Sequence, residues 1–268
     1  MRAILKLFRK KPLLSDEDIF FQVETYKWLL KYFGGKEFYE DTQLVLPTRT
    51  YFPSKVNDVQ EAATVTFETV KKYAGLEDWP CKLMAQEEDI DPVVGETLVV
   101  QNTPGSALGS FQYKAQDEVI ITYNPEILTN PTQLVATFAH ELGHYLTGTA
   151  PEPPPGGWEN WEFATDIAAT FLGFGVFMAN TVFIFSQHTG VISQGWKTSH
   201  GGYLSELEHI YALAIFVLLK DLPTEEVLSC LKSSLRKSFK AATKEIRKTN
   251  TIDQLRSVVF VEQPSSQS

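Results

Sequence analysis

Cysteine is scarce in this chain of 268 residues: Cys81 and Cys230 stand far apart and neither belongs to a Cys-x-x-Cys pair, so neither a disulfide framework nor a thiolate metal site is suggested. Positive charge is the minority sign, 24 Lys and Arg against 33 Asp and Glu, and the net charge of −9 argues against nucleic acid as the main partner. No internal repeat is visible. The basic opening Met1-Arg-Ala-Ile-Leu-Lys-Leu-Phe-Arg-Lys-Lys11 lacks an uninterrupted apolar run of signal-peptide length. It reads as a solvated, frayed helix in preference to a membrane-surface anchor, and the expectation is a cytoplasmic protein with reduced thiols. With 43% hydrophobic and 21% charged residues, the composition supports one substantial globular core.

One long stretch has no charge at all. From Ile167 to Trp196 there is no Lys, Arg, Asp or Glu, and Ile167 to Phe185 is nearly long enough to span a bilayer. Gly173, Gly175, Asn180 and Thr181 dilute it, so a helix buried on most sides is expected, in preference to a membrane span.

Histidine is also rare, at five residues, yet two of them fall in His140-Glu-Leu-Gly-His144. A helix turns about 100° per residue, so imidazoles four apart share a face and can grip one metal ion, with Glu141 just round the edge. The flanks favour a helix. Asn130 is a good N-cap, Pro131 suits the first turn, and Leu134, Val135, Phe138, Ala139, Leu142 and Leu146 form a buried stripe before Gly148 stops it.

Two histidines leave zinc short of protein ligands, because catalytic sites usually take three and keep a fourth position for water. After the stiff loop Pro151-Glu-Pro-Pro-Pro-Gly-Gly157, a second apolar helix opens with Trp158-Glu-Asn-Trp-Glu-Phe-Ala-Thr-Asp166. Glu162 and Asp166 share a face there. Glu162 can supply the third ligand, and Asp166 can accept the remaining N–H of a ligating histidine. Glu159 is the alternative third ligand, but Phe163, four residues on, cannot support a histidine.

This arrangement resembles the gluzincin clan of zinc metallopeptidases, in which His-Glu-x-x-His is followed by a helix bearing Glu-x-x-x-Asp. Phe138 to Leu146 is also similar to the ImmA/IrrE group of bacterial metallopeptidases. The resemblance covers roughly Asp117 to Met178. It implies one zinc ion per chain on His140, His144 and Glu162, with Glu141 as general base and Asp166 orienting a ligand. It also implies a peptide or protein substrate and a zincin-like α+β fold. In such a fold a small mixed sheet packs against the metal helix and a mostly helical C-terminal half follows.

The strand pattern agrees with that order. Leu98-Val-Val-Gln101 and Gly109 to Lys114 read as short strands, and Glu118 to Tyr123 as a more hydrophobic one just before the metal helix. Phe111, Gln112 and Tyr113 then become the candidate edge that pairs with an extended peptide. The expected chemistry is peptide hydrolysis by a metal-activated water with Glu141 as base. His200 and Tyr203, in a glycine-rich turn, are candidate oxyanion donors, and His209 is a weaker one.

The flanks are less specific. Phe20 to Phe33 and Val56 to Tyr73 read as helices, and the acidic run Glu87, Glu88, Asp89 and Asp91 as a solvated loop. Leu204 to Leu219 is an apolar helix with Tyr203, Glu206 and His209 towards the metal cleft and Leu207, Leu213 and Phe216 in the core. Thr224 to Lys248 reads as one long helix with a basic exterior. The domain expectation is an appendage over 1–55, the metallopeptidase domain over 56–250 and a tail over 251–268 whose end is disordered. A second functional class stays open: a metallopeptidase-like regulatory or protein-binding module acting on one dedicated partner or catalytically silent.

Overall fold

The computed structural model describes residues 12–53, 58–86, 108–114, 118–188 and 203–262. The strand expected at Leu98–Gln101, the acidic run at 87–91, His200, the basic opening and the last six residues lie outside them.

Helix α1 (Asp16–Phe33) starts where the Ser15 side chain accepts from the Asp18 N–H, and three acids in its first turn complement the helix dipole. Gly35, at φ +65°, turns the chain into the short α2 (Gly35–Glu40). Helix α3 (Val59–Tyr73) is capped by Asp58, whose side chain accepts from the Glu61 N–H at 2.8 Å.

Three strands follow: β1 (Cys81–Ala85), β2 (Gly109–Lys114) and β3 (Glu118–Tyr123), in the order β1-β3-β2. β1 runs parallel to β3, and β2 runs antiparallel to it with Phe111 opposite Ile121, so the sheet is mixed. Val119, Ile120, Ile121, Thr122 and Tyr123 are all buried, which is why β3 reads as a continuous apolar run and not as an alternation.

Helix α4 (Pro131–Thr147) has the cap and stop its sequence suggests: the Asn130 side chain accepts from the Gln133 N–H, and the Gly148 N–H bonds the His144 carbonyl. Then come α5 (Trp161–Ala169) and α6 (Gly175–His188), joined through a π-helical turn at Thr170–Phe174. At Gly173, φ is +102° and a Cβ would lie 2.0 Å from the Gln43 carbonyl oxygen, so only glycine fits. The Gly173 carbonyl in turn accepts from the Val45 N–H at 2.9 Å. The long apolar run is therefore two helices with a kink between them. Residues Trp158–Thr181 are long and apolar enough to cross a membrane, but 94% of the window sits inside the fold.

Helix α7 (Glu206–Leu219) opens with a capping box between Ser205 and Glu208. Its helical phase differs from the sequence expectation. Glu208 and His209 are buried, whereas Glu206 is exposed and Leu207 is 38% exposed, because the box turns Glu208 back onto the Ser205 N–H. Leu213 and Phe216 do lie in the core.

The long helix expected from Thr224 to Lys248 is in fact α8 (Thr224–Cys230) and α9 (Ser233–Ile246), broken at the extended Leu231. Asn180 of α6 fills the break: its amide donates to the Cys230 carbonyl and accepts from the Lys232 N–H, both at 3.0 Å. A side chain from another helix replaces the lost helical bonds, a tertiary effect that local periodicity does not carry. Helix α10 (Thr251–Arg256) completes the described chain and buries Leu255.

Two apolar clusters share a wall. Helices α1, α7 and α9 fill one, and the sheet with α3, α4 and much of α6 fills the other. Helix α5 faces both, giving Phe163, Ile167 and Ala168 to the first and Ala169 to the second. Residues 16–33 are built into the first cluster, where the Tyr26 hydroxyl donates to the Ala212 carbonyl at 2.7 Å and Phe21 meets Phe163 edge-on.

Candidate metal centre

Glycine decides how close the two site-bearing helices come. A Cβ on Gly143 would lie 3.1 Å from both the Thr165 carbonyl oxygen and its Cγ2, so a larger residue would push α5 away from α4. With the helices this close, the first turn of α5 brings Glu162 over the face that carries His140 and His144.

Three atoms then converge. His140 Nε2 and His144 Nε2 are 3.1 Å apart, and Glu162 Oε2 lies 3.4 Å from the first and 3.2 Å from the second. Donors held about 2.0 to 2.1 Å from a tetrahedral ion are separated by about 3.3 to 3.4 Å, so this triangle has the dimensions of a metal's ligand face. Glu162 Oε2 is buried and has no hydrogen-bond partner among the described residues, although a quarter of the Glu162 side chain stays open. Three electron-rich atoms facing one point, one of them orphaned, are unfavourable without a cation between them. His140, His144 and Glu162 can therefore hold a metal ion. Glu159, the alternative ligand, is exposed outside this cluster.

The surrounding groups fix both rings. Asp166 Oδ1 lies 2.9 Å from His140 Nδ1, and Asp166 Oδ2 accepts from the Leu204 N–H at 2.9 Å. With Asp166 holding the Nδ1 proton, the Nε2 lone pair of His140 faces the other two donors of the triangle. His144 Nδ1 is 3.2 Å from the Thr165 hydroxyl, and the Trp161 ring packs edge-on against it at 4.8 Å. Trp161 is itself held by a 2.7 Å bond from its indole N–H to the Thr147 hydroxyl.

Charge is strongly coupled across the centre. Burial opposes a charge on His140, but Asp166 and Glu162 outweigh it and hold this imidazole well above the ordinary histidine range. Burial likewise opposes ionisation of Glu162, and the two imidazoles overcome it, keeping that carboxyl well below the ordinary range. Without metal, then, a proton on His140 offsets part of the negative charge of the acids around it.

Glu141 differs from both. Burial pushes its carboxyl up, with only partial compensation from the two histidines, and among the described residues it has no hydrogen-bond partner. It is 4% exposed and lies against β2, where a Cβ on Gly109 would come within 2.9 Å of its Oε1.

Comparison with known protein families, curated proteins and solved structures finds no match to this chain.

The other sequence candidates fall as follows. Tyr203 stands beside His140 with ring centroids 5.7 Å apart, and Phe111 stacks on His144 at 6.3 Å and 14°. Gln112 donates to the Ser110 hydroxyl at 3.3 Å, and Ser110 bonds Thr122 on β3. The Tyr113 side chain and all of His200 lie outside the described structure.

Sequence reasoning missed Thr165, Trp161 and the Leu204 N–H. Thr165 could have been found one helical turn from Glu162, whereas a backbone donor leaves no sequence signal. His209, placed towards the metal cleft, reaches only Asp166 among the described residues, with Nε2 3.5 Å from Oδ2, and burial lowers its pKa.

Proposed function

We propose that this chain is a zinc-dependent metallopeptidase of the gluzincin type, with a zincin-like core formed by the sheet, α4 and α5. The single observation that carries the reading is the triangle of His140 Nε2, His144 Nε2 and Glu162 Oε2 beside a buried Glu141 that has no hydrogen-bond partner among the described residues. Imidazole and carboxylate donors suit zinc, which supplies Lewis acidity there, acidifying a water and polarising a peptide carbonyl.

The chain's own residues do the rest. Glu141 takes the proton from the attacking water and delivers it to the leaving amine, and its raised pKa suits both transfers. Asp166 keeps the His140 proton on Nδ1. Tyr203 is the proposed donor to the developing oxyanion, with His200 as the other candidate. Strand β2, at the edge of the sheet among the described residues, offers backbone groups to an extended peptide, with Phe111 and the backbone at Gln112 and Tyr113 along it.

A second reading draws on the depth of the site. His140, Glu141 and His144 are each no more than 4% exposed, behind Phe111, Trp161 and Tyr203. Such enclosure favours one dedicated protein partner over broad digestion. A cytoplasmic location belongs to both readings.

The test is metal analysis of purified protein with peptidase assays of wild type and Glu141→Gln. About one zinc per chain in both proteins and cleavage by the wild type alone is the expected result. Metal absent from the wild type, or cleavage that survives Glu141→Gln, overturns the hydrolase. Zinc bound without cleavage of broad peptide libraries selects the second reading.

A further inference from the structure

We propose, resting on Glu141 as the base of the proposed hydrolysis, that Thr137 is the positioning residue for that base and that Gln133 completes a hydrogen-bond relay along α4 into its carboxylate. Gln133, Thr137 and Glu141 follow one another at intervals of four, so their side chains lie one above another on one face of α4. All three are buried. Among the described residues, the Thr137 hydroxyl and the Gln133 side-chain N–H₂ have no hydrogen-bond partner, and neither has the Glu141 carboxylate. Each of these groups is unfavourable alone in a dry interior, and together they are complementary.

The hydroxyls of Thr69, Thr147, Thr181 and Thr243 donate to the carbonyl four residues earlier, which satisfies each group within its own helix. Thr137 does not use that acceptor, and neither does Thr165, whose hydroxyl is placed against His144 Nδ1. Both helices of the centre thus hold a threonine away from their own backbone, Thr165 beside a ligand and Thr137 beside the base. Gly109 fixes where Thr137 and Glu141 meet. A Cβ there would stand 2.6 Å from the Thr137 methyl, 2.9 Å from Glu141 Oε1 and 3.0 Å from the Thr122 carbonyl oxygen, so the three groups converge beneath β2. What the sheet presents at this point is an acceptor, and the carboxylate needs a donor. A turn about the Thr137 Cα–Cβ bond exchanges methyl for hydroxyl and sets the O–H against Glu141 Oε1.

The direction of the relay follows from the groups themselves. Gln133 Oε1 already accepts from the Asn130 side-chain amide at 3.3 Å, which leaves the Gln133 N–H₂ to donate. A hydroxyl both accepts and donates, whereas a carboxylate only accepts. The order that satisfies all three is Gln133 N–H to Thr137 Oγ1, then Thr137 O–H to Glu141 Oε1. One carboxylate oxygen is thereby held, and the other keeps a fixed aim while it takes up a proton and releases it.

Thr137→Val keeps the shape and loses the hydroxyl, and its kinetics are measured on a peptide picked from a quenched-fluorescent library by wild-type cleavage. Loss of one hydrogen bond to a carboxylate should lower kcat by about ten- to hundredfold, with KM within about twofold of wild type and zinc content unchanged. Thr137→Ser, which keeps the hydroxyl, should hold kcat within about threefold of wild type. Thr243→Val removes a hydroxyl bonded within its own helix and should leave kcat unchanged. A second readout is independent of turnover. In chelator-treated protein, Thr137→Val should lower the melting temperature of the wild type but not that of Glu141→Met, where the hydroxyl has lost its acceptor. Equal melting shifts in both backgrounds, unchanged kcat in a folded Thr137→Val protein, or Thr137→Ser as slow as Thr137→Val overturns the relay. A wild type that cleaves nothing while the two melting shifts differ removes the hydrolase reading and leaves the hydrogen bond to Glu141 standing.

Discussion

Replacing Asp166 by Asn is the most informative perturbation of the centre, because it keeps the shape and removes one acceptor. In the wild type both carboxylate oxygens are used, Oδ1 towards His140 Nδ1 and Oδ2 towards the Leu204 N–H, each at 2.9 Å in a residue 2% exposed. An asparagine has one oxygen and can serve only one of them. If the oxygen serves Leu204, the amide N–H₂ faces His140 and drives its proton onto Nε2, where the ion must bind. If it serves His140, the Leu204 N–H is left buried against another donor, at a cost of about 1–3 kcal/mol to folding.

Loss of a group that orients a metal ligand typically weakens affinity about 10- to 100-fold, or roughly 1.4–2.7 kcal/mol. Competition against a chromophoric chelator reads that loss, and melting of the metal-free protein reads the folding cost. The pH dependence has a definite sign. Asp166 helps hold His140 protonated in the metal-free protein, so proton competition for the wild-type site sets in at higher pH. The variant therefore keeps its affinity further into acid, and the gap between the two proteins narrows as pH falls. Affinity within twofold of wild type across the pH series, with unchanged melting, would refute the role assigned to Asp166.

Glu141→Gln is expected to lower turnover by about 10²- to 10⁴-fold without losing metal, measured by single-substrate kinetics beside metal content. The same variant should melt higher than wild type when metal-free. Burial raises this carboxyl, so its penalty is absent below the ordinary value of 4.5, builds as pH climbs from there to the raised value and stays complete above it; equal melting at neutral pH contradicts this. Chelation should lower the melting temperature reversibly, since a ligand at a hundredfold its Kd stabilises by about 2.7 kcal/mol; melting indifferent to chelator and to added zinc would argue against a native metal site. Gly75→Ala, at φ +70° with open space around it, should cost about 1–2 kcal/mol in denaturant unfolding. Gly173→Ala should cost distinctly more, because the Gln43 carbonyl oxygen stands 2.0 Å from the new carbon, and equal costs would refute the close approach.

The metal helix was legible because its information is local: Asn130 and Pro131 set the start, Gly148 the end, and the four-residue spacing of His140 and His144 the shared face. Glu162 and Asp166 were legible for the same reason, as two acids one turn apart on the next helix. What escaped depends on distant partners. The break at Leu231 is held by Asn180, some fifty residues earlier in the chain. Strand β1 (Cys81–Ala85) was not anticipated at all, since five residues half open to solvent leave little periodic signal, and its parallel pairing depends on β3. The phase of α7 was misjudged because both Glu206 and Glu208 can follow a serine cap, and only the folded chain shows which one closes the box.

The close approach at Gly143 limits what can be transplanted. A host helix given the two histidines and the glutamate between them would hold its neighbour a few tenths of an ångström further off unless the fourth motif position were glycine and a small residue such as Thr165 faced it. The minimum portable unit is thus a pair of helices with their contact, since the second helix supplies Glu162 to the two imidazoles of the first.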